Sequence, residues 1–176
     1  MTEDVSLRDG KMHVRVIGTG TPTLFLHGIS AHGESWLKVA QVLEESQSNL
    51  ACWIPDLLGR GKSDQGTDLR YRLRDEVQRI QNFTEVFNSN SLNTHFPSVI
   101  IGHSHGAAIA LALAAVEPSV RGLILSNPIT SQVRRPPALE ILKIRTVRHL
   151  IARIIASFHK PLGHLILRRA SGPHFK

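Results

Sequence analysis

The residues in this chain whose types and spacing point most clearly to chemistry are Gly102-His103-Ser104-His105-Gly106, a serine between two histidines, closed off by two glycines. A hydroxyl attacks a carbonyl carbon usefully only when a base takes its proton and preorganised donors receive the oxyanion that forms. The serine follows the apolar run Phe96-Pro97-Ser98-Val99-Ile100-Ile101 and precedes the small-residue stretch from Ala107 to Ala115, so it falls at a strand-to-helix turn. Gly102 and Gly106 carry no Cβ, which lets strand and helix close around a residue held in a strained backbone conformation. A serine that merely caps the following helix would leave a similar pattern, and the neighbouring elements have to decide between the two.

Those elements alternate along the chain. Lys11 to Ile17 alternates polar and apolar residues, which predicts a strand with one face in water near a sheet edge. Thr23-Leu24-Phe25-Leu26 is almost continuously apolar, as in a strand buried on both faces, and it ends at His27-Gly28-Ile29-Ser30. Glu34 to Ser46 predicts an amphipathic helix with Trp36, Leu37, Ala40, Val42 and Leu43 inward. Leu50 to Ile54 is the next apolar strand, followed by the glycine- and charge-rich loop from Pro55 to Asp64. Arg70 to Phe87 predicts a helix burying Leu73, Val77, Ile80, Phe83 and Phe87, with Arg72, Arg74, Asp75, Glu76 and Arg79 on its outer face. A further strand at Arg121 to Leu125 closes at Ser126-Asn127-Pro128. Together these elements predict an α/β fold, a mainly parallel sheet with helices on both faces.

The 176 residues, 41% hydrophobic and 20% charged, are enough to bury a real core as one soluble domain. The formal net charge of +7 is uneven, because after residue 133 the only acidic residue is Glu140 among many lysines and arginines. Residues 138–158 read as a basic amphipathic helix, stopped by Pro161 and Gly163 and followed by a shorter helix from Leu162 to about Ala170. Cys52 is the only cysteine and reads as a buried spectator thiol, so no intrachain disulfide or thiolate metal cluster is expected. His13, His32 and His95 read as surface or loop residues without metal-ligand spacing. Neither a secretory leader nor a bilayer-spanning run is evident, and a cytoplasmic location is expected.

Three motifs in order, His27-Gly28, Asp56-x-x-Gly59-x-Gly61-x-Ser63 and Gly102-x-Ser104-x-Gly106, make residues 10 to 130 resemble the α/β-hydrolase superfamily, in its serine-nucleophile branch. The resemblance implies that Ser104 is the nucleophile and that the backbone N–H groups of His105 and Ile29 form the oxyanion hole. It gives His27, Gly28, Gly102, His103 and Gly106 supporting roles. Asp56 is expected to shape its loop by binding N–H groups rather than to take part in catalysis. On this reading residues 1–133 are an incomplete hydrolase core and residues 134–176 a basic helical cap segment.

A serine hydrolase also needs an acid and a histidine, and after Ser104 neither Glu117 nor Glu140 falls at the carboxyl end of a strand, while Asn127 offers only an amide. The expected function is therefore hydrolysis of an ester, thioester or similar acyl bond of a small molecule, by a chain read as a fragment lacking its catalytic acid and histidine. No cofactor, metal or nucleic acid is expected. The alternatives are a non-catalytic small-ligand-binding protein, or a membrane-surface protein that associates weakly with anionic membranes through residues 138–158.

Overall fold

The computed structural model describes residues 1–65, 69–89 and 96–128, all within the compact unit Met1–Thr130. Its strands β1 (Thr2–Leu7), β2 (Gly10–Ile17), β3 (Thr21–Leu26), β4 (Leu50–Pro55), β5 (Val99–His103) and β6 (Gly122–Ser126) form one sheet in the order β1-β2-β4-β3-β5-β6. β4, β3, β5 and β6 run parallel, whereas β1 pairs with β2, and β2 with β4, in antiparallel fashion.

The continuous apolar runs of β3 and β4 form inner parallel strands because both of their faces are covered, whereas β6 at the edge leaves Ile124 58% exposed. Leu24, Leu26, Trp53 and Ile100 pack with Ile80, Phe83 and Phe87 of α2 (Leu73–Ser89) and with Ile109, Ala110 and Leu113 of α3 (His105–Ala114). Their strand neighbours Phe25, Cys52 and Ile54 turn the other way and pack with Ala40 of α1 (Leu37–Glu45). Each Leu, Ile or Phe fully buried in this way contributes about 1.5–3 kcal/mol relative to exposure, so the two layers fix the register of β3 and β5. Phe25 and Trp36 meet edge to face at 5.6 Å, and Trp53 and Phe87 at 4.7 Å.

Several expectations are corrected by the packing. β1 was not read from the sequence, because Thr2 to Leu7 carries only Val5 and Leu7 as large apolar residues. It is held by its hairpin register to β2 and by Val5 entering the core. With β1 at the edge, β2 lies inside the sheet and has no wet face: His13 and Arg15 are each only 8% exposed. His13 satisfies Nδ1 on Asp4 at 2.6 Å, and Arg15 reaches Asp56 at 3.0 Å and Glu34 at 3.2 Å. Helix α2 likewise buries two of its expected outward charges, Glu76 and Arg79, which pair with each other at 3.5 Å while Arg79 bonds Asp9 at 3.0 Å. In α1, Val42 is exposed rather than inward. Cys52 is buried, as expected, and burial pushes its thiol pKa up.

Among the described residues no helix is long and apolar enough to cross a membrane, and no group of three His, Cys, Asp or Glu side chains is gathered that would hold a metal. His95, the basic helix expected at 138–158 and the helix expected from Leu162 lie outside the described residues.

Candidate active site

The parallel pairing of β3 with β5 places Leu26 opposite Gly102, so the loops that leave these two strands emerge side by side. One carries His27-Gly28-Ile29 and the other His103-Ser104-His105. Ser104 sits between β5 and α3 with φ +53° and ψ −112°, a positive φ that a residue with a Cβ rarely adopts. Its N–H donates to the Ser126 carbonyl of β6 at 2.9 Å, and its own carbonyl accepts the first helical bond, from Ala108 at 3.2 Å. Its side chain makes no capping hydrogen bond. The hydroxyl is thus not spent on the helix terminus, which removes the simplest alternative to a reactive serine.

The glycines permit this turn by sterics. A Cβ on Gly106 would strike the Leu26 carbonyl at the end of β3, and one on Gly102 would stand 2.6 Å from the Ala107 Cα and the Gly106 oxygen. Gly28 approaches from the neighbouring loop, where an added Cβ would lie 3.1 Å from His103 Nδ1 and 3.3 Å from Ser104 Cβ. Gly102 and Gly106 therefore stand where a helix and two strand ends meet at backbone distance, and Gly28 faces the side chains of His103 and Ser104.

The peptide that carries the Ile29 N–H is held through its carbonyl. The Gly28 oxygen accepts the Ala31 N–H at 3.1 Å and bonds His27 Nδ1 at 2.8 Å. The Leu57 N–H can only donate, and it meets His27 Nε2 at 3.0 Å, so Nε2 is the acceptor and Nδ1 carries the proton. Burial lowers the His27 pKa, against the raising effect of the Gly28 bond, and keeps the ring in this neutral form. His27 is buried, with both ring nitrogens engaged by the Gly28 carbonyl and the Leu57 N–H. His103 is exposed beside Gly28, and His105 is half-buried at the start of α3, its pKa lowered by burial and then by the Arg60 cation.

Asp56 holds the second loop, as expected from its motif. Fully buried, it accepts from the Gly33 N–H at 2.6 Å, the Lys62 N–H at 2.8 Å and Arg15 Nη1 at 3.0 Å. Burial alone would raise its pKa, but the Lys62 and Gly33 donors and the Arg15 cation outweigh it and hold the carboxyl below its usual value. Ser63 Oγ joins the same knot, donating to the Asp56 carbonyl and accepting the His13 N–H at 2.8 Å. Gly61, at φ +56°, passes so close that a Cβ there would strike the Asp56 carboxylate. The His27–Leu57 bond and the Arg15–Asp56 pair were not read from the sequence. Both join residues from different strands and loops, and only the polar character of each residue was visible.

The structure thus brings Gly28 against His103 and Ser104, with Ile29 next along its loop and His105 opening α3, whose N-terminus carries partial positive charge. Among the described residues no side chain hydrogen-bonds the Ser104 hydroxyl, and Asn127, in a left-handed conformation at φ +48°, follows the neighbouring strand.

Comparison with known proteins bears on the same segments. Residues 23–175 match the model of the alpha/beta hydrolase family. The chain is 31% identical over 120 residues to Lipase LipV of Mycobacterium tuberculosis, covering 66% of this chain and 41% of that one. It is 33% identical over 100 residues to Lipase 3 of a Moraxella species, covering 57% and 29%. It therefore spans less than half the length of either lipase. Among solved structures, a membrane phospholipase A superposes with a TM-score of 0.67 at 24% identity, covering 81% of this chain and 44% of that one, a likeness of fold. By its sheet order, its strained serine turn and the match across most of its length, this chain belongs to the alpha/beta hydrolase family.

Proposed function

We propose that Ser104 is the nucleophile of an acyl-transfer site that cleaves an ester or thioester of a small molecule. Its Oγ attacks the carbonyl carbon, and the oxyanion is received by the N–H groups of Ile29 and His105. When the tetrahedral intermediate collapses, the alcohol or thiol leaves, and water later releases the acyl group from the serine. The observation that carries this reading is the φ of +53° at Ser104, whose hydroxyl is free of any capping bond. Strain of this kind costs about 1–3 kcal/mol and persists where the surrounding structure enforces it, most often at functional sites. Each oxyanion donor is expected to supply about 3 kcal/mol in the transition state.

The proton on Oγ requires a general base with a carboxylate behind it. Because the chain spans less than half of each lipase it matches, we assign both groups to the remainder of a full-length protein. The chain by itself then acylates slowly. Hydrolysis of p-nitrophenyl acetate tests this reading: a slow turnover abolished by Ser104→Ala agrees with it, and a rate unchanged by that substitution rejects it.

A further inference from the structure

In the loop that carries Ile29, the side chains of Ile29 and Ser30 do not anchor their own backbone. Ile29 is 52% exposed and Ser30 is exposed too. Peptide planarity means that fixing a carbonyl also fixes the N–H across its bond. His27 and Ala31 fix the Gly28–Ile29 peptide in this way. The next peptide, Ile29–Ser30, needs an anchor of its own if the backbone at Ile29 is to be set from both sides.

Arg60 supplies it. Its backbone is held in the tight turn above Asp56, with its N–H on the Leu57 carbonyl at 2.9 Å and its carbonyl receiving the Ser63 N–H at 3.1 Å. From there the side chain crosses to the neighbouring loop, and Nε donates to the Ile29 carbonyl at 2.5 Å while Nη1 donates to the Gly59 carbonyl at 2.9 Å. The guanidinium lies 5.2 Å from the centre of the Tyr71 ring, and Arg79 lies 6.0 Å from that same ring. Arg79 is in turn fixed to Asp9 at 3.0 Å and faces the buried Glu76 at 3.5 Å. A charge-assisted bond to a carbonyl is stronger than a neutral one, and an aromatic ring beneath the cation restricts its rotamers.

We propose that Arg60 is a positioning residue for the oxyanion loop, fixing the Ile29–Ser30 peptide through Nε–H and so aiming the Ile29 N–H at the carbonyl under attack by Ser104. The inference rests on the acyl-transfer reading of the site. The Arg60 cation also contributes to the lowered pKa of both His105 and His27, after burial, which agrees with a guanidinium within electrostatic reach of the serine corner. Because an arginine on the Asp56 loop does this work, a change in that loop transmits to a site whose residues lie elsewhere in the sequence.

The test uses the full chain with two readouts. A fluorophosphonate labels Ser104 at a rate set in part by donors to its phosphoryl oxygen, and hydrogen exchange at the Ala31 amide reports loop order, with the Leu57 amide as internal reference. Arg60→Met is expected to slow labelling at least about tenfold and to speed Ala31 exchange by a similar factor, with Leu57 unchanged. Arg60→Lys, which keeps the charge and one donor, is expected to recover part of both losses. The proposal is overturned if Arg60→Met labels within twofold of wild type, whether or not the loop exchanges faster. It is equally overturned if labelling slows while Ala31 stays protected. Failure of the wild-type chain to label at all would reject the acyl-transfer reading instead, and Ala31 exchange alone would then decide whether Arg60 orders the loop.

Discussion

The backbone N–H of Leu57 meets Nε2 of His27 at 3.0 Å and thereby forces the imidazole proton to Nδ1, where the Gly28 carbonyl receives it at 2.8 Å. One loop thus sets the tautomer of a histidine in another, and the histidine sets the peptide that presents the Ile29 N–H. A protonated His27 has no lone pair for Leu57, so this chain of contacts exists only for the neutral ring.

Acid should therefore loosen the site. The His27 pKa is lowered by burial from 6.5 in the fold, so the unfolded chain binds its proton first. The contribution is complete above pH 6.5 and is lost as pH falls through the folded value. Glu76 works in the opposite sense, since burial raises its pKa and its contribution is lost as pH rises from 4.5 through its folded value. Comparing variants cancels that effect. Between pH 7.5 and 5 the Tm of wild type is expected to fall more than that of His27→Gln, and parallel curves would count against the bond network.

Gly106 and Gly28 should respond differently to the same added methyl. At Gly106 the Cβ meets the Leu26 backbone, which cannot rotate away, whereas at Gly28 it stands 3.1 Å from the side chain of the exposed His103. Gly106→Ala is expected to cost about 3 kcal/mol in urea unfolding, and Gly28→Ala less than about 1 kcal/mol. Equal losses would mean that α3 does not pack against the end of β3 as described.

Asp56 should matter to the fold more than to the chemistry. Asp56→Asn leaves Arg15 buried with only the partly exposed Glu34, and breaking a buried pair in this way costs about 3–5 kcal/mol. Folded Asp56→Asn should still label at Ser104. A variant of wild-type stability that no longer labels would assign Asp56 a chemical role instead.

The backbone at Ser104 stores strain that glycine would release. Ser104→Gly is expected to raise stability by about 1 kcal/mol by calorimetry while abolishing labelling, since glycine adopts φ +53° freely. A destabilised Ser104→Gly would show that the turn is not strained.

Most of the parallel sheet was legible because Leu24-Phe25-Leu26 and Leu50 to Ile54 are buried on both faces and read as continuous apolar runs. The serine turn was legible because its glycines answer to local sterics. β1 was not, since an edge strand with one buried valine owes its pairing to the hairpin rather than to its composition. The inward charges were also hidden: Arg15, Glu76 and Arg79 carry the pattern of a wet surface, and only their partners, Asp56 and Asp9 among them, make burial tolerable. Arg60 lay in plain view between two glycines, but its acceptor, the Ile29 carbonyl, is a backbone atom far away in sequence.

The measurement that bears most directly on the central claim is the site of covalent modification by a fluorophosphonate, located by mass spectrometry of the intact chain and its peptides. The expected result is one adduct, on Ser104, that is absent from Ser104→Ala and suppressed when the chain is unfolded in urea. An adduct on another residue, or none after prolonged exposure of the folded chain, would contradict Ser104 as the nucleophile.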